Sequence, residues 1–153
     1  MLGLILACIV CGQSPNGTAV LTISSGFPTQ PTGPNPLAGL TYILLRDSFA
    51  ATLVKGGIAV PPNTSPFAAL NTACGKRVPE CQKSVQALNA ANVTGAKADL
   101  NGKATLRAVP PGVYYVMVAA RYNGQALYWD LKVELKPGAN SVVLDQHNAG
   151  PSN

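Results

Sequence analysis

Charge is scarce in this chain. Of its 153 residues only 11% are Asp, Glu, Lys or Arg, under half the roughly 25% usual in soluble domains. None of them precedes Arg46. Histidine is scarcer still, with His147 the single copy. One imidazole leaves little room for a His-based metal site or a conventional His base. It lies close to a Gly-Pro tail and reads as a flexible surface residue. Long apolar runs are missing as well. The first segment, MLGLILACIVCG, is too short for a membrane helix, which needs roughly 20 residues. No G-x-S-x-G elbow, P-loop, dinucleotide fingerprint or H-E-x-x-H helix occurs. The expectation is a chain without catalytic residues, metal or cofactor, and without a transmembrane segment.

What is present narrows the class further. Hydrophobic residues make up 47%, with 15 Gly and 13 Pro. Low charge combined with many apolar residues argues against disorder. The Gly and Pro load argues against a helix bundle and for many turns. One domain is expected at this length. Eleven basic residues against six acidic ones give a formal charge of +5. Apart from Lys76, Arg77 and Lys83 the basic residues are scattered, which argues against nucleic acid as a partner.

Residues 1–12 fit the h-region of a secretory signal peptide. Cleavage after Gly12 would leave residues 13–153 as the mature domain. Two other readings stay open. Ile5-Leu6-Ala7-Cys8 loosely matches a lipobox, with Cys8 as a lipid anchor, and the run could instead be a buried first element. Cys8 and Cys11 lie inside this segment, so the mature chain keeps Cys74 and Cys81. An even pair in an exported chain reads as a disulfide. A redox or metal pair is the weaker alternative, because the spacing is not C-x-x-C. The localisation expected is secreted, periplasmic or cell-surface.

Strand periodicity opens the mature chain. Ala19, Leu21 and Ile23 alternate with Val20, Thr22 and Ser24. Residues 26–39 hold seven Gly or Pro in fourteen positions and predict a long loop. Residues 40–46, LTYILLR, are apolar on both faces and predict a central strand. An insert over 47–92 then takes on helical spacing. Asp47 or Ser48 caps a short helix ended by Gly56-Gly57. Ser65-Pro66 starts a second, with Phe67, Leu70 and Cys74 on one face. Pro79 starts a third, with Cys81, Val85 and Leu88 aligned. A Cys74–Cys81 bond would staple this helical hairpin. From Val93 the strand pattern returns. Asn101-Gly102, Pro110-Pro111-Gly112, Asn123-Gly124 and Pro137-Gly138 mark turns. Ala104, Leu106 and Ala108 are expected on one face. Leu127, Trp129, Leu131, Val133 and Leu135 form the clearest alternation. Seven short strands at roughly 10-residue spacing predict a mainly β sandwich.

The stretch ADLNGKATLRAVPPGVYYV, with Pro36-Leu37-Ala38-Gly39-Leu40-Thr41 upstream, resembles the signature of carboxypeptidase-regulatory-like modules. These are related to transthyretin-like and collagen-adhesin B-type domains. Asp99, Gly102, Leu106, Val109, Gly112 and Tyr114 hold the signature places. Ala98 stands where a Thr is usual, and Ala104 where an aromatic is usual. The resemblance covers residues 93–148 well and 17–46 loosely, and leaves out the insert. It implies an immunoglobulin-like, or prealbumin-like, seven-stranded sandwich that is usually exported and non-catalytic. Related iron dioxygenases use paired Tyr and His ligands, which one His cannot supply. Self-forming isopeptide bonds in B-type modules need a Lys in the first strand, and this one has none.

Three surfaces are candidates for function. Asp99-x-Asn101 reads as an Asx turn rather than a calcium loop, since Lys103 falls where a third oxygen ligand is needed. Lys76, Arg77 and Lys83 surround the disulfide and suit an anionic glycan or a membrane, or are a solvated helix face. Tyr115 and Tyr128 are expected to point outward, as a sugar-stacking platform or as ordinary cross-strand pairs. Asn16, Asn63 and Asn92 begin glycosylation triplets. The function expected is an exported non-catalytic binding or surface module with an unknown glycan or protein ligand. A subunit of a surface fibre is the alternative, and a small secreted hydrolytic enzyme the second.

Overall fold

The computed structural model describes residues 17–28, 33–75 and 79–151. The segment read as a signal peptide, with Cys8 and Cys11, lies outside them. Chain order is β1 (Ala19–Ser25), β2 (Thr41–Leu45), α1 (Phe49–Lys55), α2 (Pro66–Gly75), α3 (Pro79–Ala91), β3 (Asn92–Lys97), β4 (Ala104–Val109), β5 (Gly112–Tyr122), β6 (Gln125–Leu135), β7 (Gly138–Leu144) and the two-residue β8 (Gly150–Pro151). One sheet has the order β4-β1-β7 and the other β3-β2-β5-β6-β8. The mainly β sandwich with a helical insertion is therefore the fold.

Alternation fills the space between the sheets. Ala19, Leu21, Ile23, Leu106 and Val109 from the smaller sheet meet Tyr42, Leu44, Val116, Val118 and Trp129 from the larger one. Trp129 is fully enclosed, with Phe27 edge-on at 6.0 Å. Its indole N–H donates to the Asp145 carbonyl at 3.0 Å and to Asn148 Oδ1 at 2.9 Å. Tyr114 buries its ring while its hydroxyl donates to the Pro110 carbonyl at 2.9 Å. The ring is thus held across the turn that starts its own strand.

The larger sheet is apolar on its outer face too. Strand β2 runs between β3 and β5, as its two-sided apolar character predicts. Ile43 and Leu45 leave the sandwich core and join a second one. There Leu45, Phe49, Leu53, Ile58, Ala69, Ala91 and Met117 are buried, with Phe67, Leu70, Leu88 and Tyr115 packed on them. The helices thus form a third layer over the sheet. Ser48 is the cap of α1, its Oγ accepting from Ala51 N at 3.1 Å. Asp47 instead pairs with Lys55 at 2.7 Å on the surface. Ser65 Oγ accepts from Ala68 N at 3.0 Å to start α2. Helices α1 and α3 approach closely at Gly56, where a Cβ would lie 2.5 Å from Ser84 Cα. Strands β2 and β3 are antiparallel neighbours, and Arg46 N donates to Ala91 O at 3.0 Å. The insert is therefore the long connection of a β-hairpin, hydrogen-bonded shut at its base.

One facing expectation fails. Ala104 and Leu106 are buried, but Ala108 is exposed and Val109 takes the core position. The β1–β4 register shifts between Ala19 and Leu21, and Ala108 has φ 55°. A bulge inserts one extra residue and reverses the alternation beyond it. Alanine in the left-handed region costs roughly 1–2 kcal/mol, partly offset for Gly by its freer unfolded chain. Ala108→Gly is expected to raise stability by about 0.5 kcal/mol. Denaturant melts of the two proteins check this, and a destabilised variant would contradict the bulge.

Candidate functional site

Tyr42 is fully buried, and its hydroxyl donates to the Gly102 carbonyl at 2.6 Å. Burial, and secondarily the Asp99 charge, push this phenol up to about 12. Asp99 Oδ1 accepts from Asn101 N and Lys103 N, both at 2.9 Å, which is the Asx turn the sequence predicts. Gly102 has φ 72°, and a Cβ there would lie 2.7 Å from Asn35 Oδ1 and 2.8 Å from Ser25 Cβ. Leu106 and Val109 lie in the sandwich core, and Gly112 opens β5. All six signature residues thus act on packing and turns. His147 is exposed. Among the described residues no group of three or more His, Cys, Asp or Glu could hold a metal ion. No helix among them is long and apolar enough to cross a membrane.

The helical layer carries Cys74, Cys81 and Lys83. Cys74 and Cys81 are joined, with Cα atoms 4.9 Å apart, so the bond ties the end of α2 to the first turn of α3. Lys83 is exposed on α3. Lys76 and Arg77 lie outside the described residues. Tyr115 and Tyr128 require a correction. They do leave the sandwich core, but the face they enter is covered by helices. Tyr115 packs on the second core, and the Tyr128 ring centroid is 5.6 Å from that of Phe67. Burial first, and the neighbouring Asp130 second, push the Tyr128 phenol up. Neither ring is an open stacking platform.

Asp130, on the same face of β6, was not expected to matter. Its Oδ2 accepts from Phe49 N at 2.8 Å, so the sheet itself caps the first turn of α1. Oδ1 is buried without a hydrogen-bond partner. Burial raises the carboxyl, against the lowering pull of the Phe49 and Ala50 amides. The only sequence signal was its place in a row that also holds Tyr128.

A cleft of about 450 Å³ opens within the helical layer. Ile58, Pro61, Ala69 and Ala73 give it an apolar wall, and Thr64, Thr72 and Glu80 give it polar groups. Two further clefts flank Gly33-Pro34-Asn35 at one end of the sandwich, of about 400 and 430 Å³. The first combines a concave apolar wall with few polar groups, the usual make-up of a ligand site. Its hydroxyls and one carboxylate can accept and donate hydrogen bonds, and nothing in it is arranged as a nucleophile and base.

No protein-family model matches the chain, and no curated protein matches it. Among solved structures it is similar to a candidate carbohydrate-binding protein from Pseudomonas aeruginosa. That pair shares 16% identity and a TM-score of 0.41, covering 87% of this chain and 91% of the other. It is also similar to the pilus backbone protein RrgB from Streptococcus pneumoniae, at 15% identity and a TM-score of 0.36, covering 84% of this chain and 40% of that one. A full-length structure of RrgB gives 15% and 0.38, covering 85% and 30%. These overlaps are loose.

Asp130 gives the layer a measurable pH dependence. Its folded carboxyl holds a proton above the ordinary 3.8, so in that window the folded chain binds more protons than the unfolded one. This residue's contribution to stability therefore falls as pH rises through the folded value. Asp130→Asn removes that slope. The melting temperature of the variant, measured against the parent, is expected to climb between about pH 3 and about pH 7. A difference that stays flat or declines would contradict the burial of this carboxylate.

Proposed function

We propose that this chain is an exported, non-catalytic β-sandwich module that binds a glycan or protein ligand through its helical layer. The observation that carries this reading is the cleft in a layer held on three sides. An apolar core seats the layer on the sheet, a disulfide ties two of its helices and Asp130 caps the third. A concave surface on a rigid support is where recognition is usually built, because little ordering is then needed on binding. Lys83 is exposed on α3, and Lys76 and Arg77 stand between the two bonded cysteines in sequence; their charge would favour an anionic ligand. The Cys74–Cys81 bond and the apolar segment 1–12 support an oxidising, extracytoplasmic setting. The resemblance of residues 93–148 to carboxypeptidase-regulatory-like modules supports a non-enzymatic role.

The test is a glycan and matrix-protein array probed with the full chain and with Thr72→Trp. Thr72 is exposed at the cleft, so the larger ring fills it without touching the core. Binding to whichever ligand scores is expected to weaken at least about tenfold, or 1.4 kcal/mol, with the melting temperature unchanged. Undiminished binding by Thr72→Trp would move the site elsewhere. Turnover in a broad hydrolase screen would replace the reading altogether.

A further inference from the structure

In the sandwich, backbone answers backbone. Strand β1 pairs antiparallel with β4 and parallel with β7 along its whole length, from Ala19 opposite Gly138 to Ser25 opposite Leu144. The helical layer leaves a charge unanswered. Glu80 lines the cleft of about 450 Å³ and is half-buried. Among the described residues its carboxylate joins no ion pair or hydrogen bond, and the one ion pair is that of Lys55 with Asp47.

The fold puts that carboxylate in the cleft. The Cys74–Cys81 bond ties the first turn of α3 to the end of α2. Glu80, one position before Cys81, therefore lines the same cleft as Thr72 and Ala73, just before Cys74. An acid in a first helical turn is often accounted for by the helix dipole, and an outward rotamer would serve that purpose. Glu80 instead lies over Gly57, which has φ 92°. A Cβ on Gly57 would be 3.6 Å from Glu80 Cγ, and Gly57 itself lines the cleft. Glu80 is the one charged group in the described lining, and no aromatic ring lies there for a sugar to stack on.

We propose that the cleft receives a lysine side chain from a protein partner. Ile58, Pro61 and Ala73 offer apolar wall to a stem that is apolar up to its charged tip. The ammonium carries three donors. The lining supplies three acceptor groups, the Glu80 carboxylate and the hydroxyls of Thr64 and Thr72. A compact point charge suits so mixed a set, whereas the planar fork of arginine matches a carboxylate taken alone. Lys83, one turn further along α3, would draw acidic groups flanking that lysine. This rests on the cleft being the binding surface and narrows its ligand from a glycan or protein to a protein with an exposed lysine.

Two small probes test it on the full chain, labelled with ¹⁵N and followed by its amide shifts. One is N-acetyl-lysine methylamide. The other is N-acetyl-norleucine methylamide, the same stem without the ammonium. The amides of Gly57, Thr72 and Glu80 are expected to shift and saturate, with the lysine probe binding about fivefold more tightly. In Glu80→Gln the lysine probe is expected to weaken to the level of norleucine. Equal binding of the two probes to the unsubstituted chain overturns the proposal, as does a lysine preference that survives in Glu80→Gln. Cleft amides that still shift would then leave the cleft standing as a binding surface. If neither probe shifts them, the lysine proposal also fails, and the array comparison with Thr72→Trp separately judges the cleft. Should Glu80→Gln not fold, the two probes on the unsubstituted chain decide.

Discussion

A sheet that is apolar on both faces cannot leave either one to water. That constraint organises this molecule. In β2, Tyr42 and Leu44 enter one core while Ile43 and Leu45 enter the other. In β5, Tyr114, Val116 and Val118 face inward and Tyr115 and Met117 outward. Antiparallel sheets usually solvate one face. Here the smaller sheet covers one side and the helices cover the other. The helical insert is therefore a structural layer, and its cleft inherits the rigidity of the sheet beneath it.

Polar groups that enter these cores mark the joints. The Tyr42 hydroxyl reaches the Gly102 carbonyl, tying β2 to the turn before β4. The Trp129 indole reaches the chain after β7. Asp130 reaches the start of α1. Each is a buried or half-buried polar atom that costs free energy unless it finds a partner, and each finds it in a different element. Burial raises the Asp130 carboxyl against the pull of the Phe49 and Ala50 amides, which is why its protonation is coupled to the fold.

The sequence made the strands legible because alternation survives wherever one face is buried. It also made the two-sided character of β2 visible, and the helix starts at Ser48 and Ser65-Pro66. Three things stayed hidden. The bulge at Ala108 reverses alternation through a backbone angle that alanine does not advertise. Tyr115 and Tyr128 read as exposed because amphipathic rings fit both a wet face and a covered one. The cap from Asp130 joins residues eighty-one positions apart, and no local pattern records such a pairing. The row Ile43, Leu45, Tyr115, Met117 and Tyr128 was the available clue to a third layer. It is too apolar for a solvated face, and it becomes evident only when the strands are set side by side.

The parallel pairing of β1 with β7 has a mechanical consequence. The two strands run in the same direction and exchange hydrogen bonds along seven opposed positions. Tension between Gly17, ahead of β1, and Asp145, behind β7, would pull them past each other along their lengths. The ladder would then be loaded in shear, with its bonds sharing the load together, whereas an antiparallel hairpin pulled at its open end unzips one bond at a time. The module is built to resist being stretched along this axis, and the first casualty of excess force would be the smaller sheet.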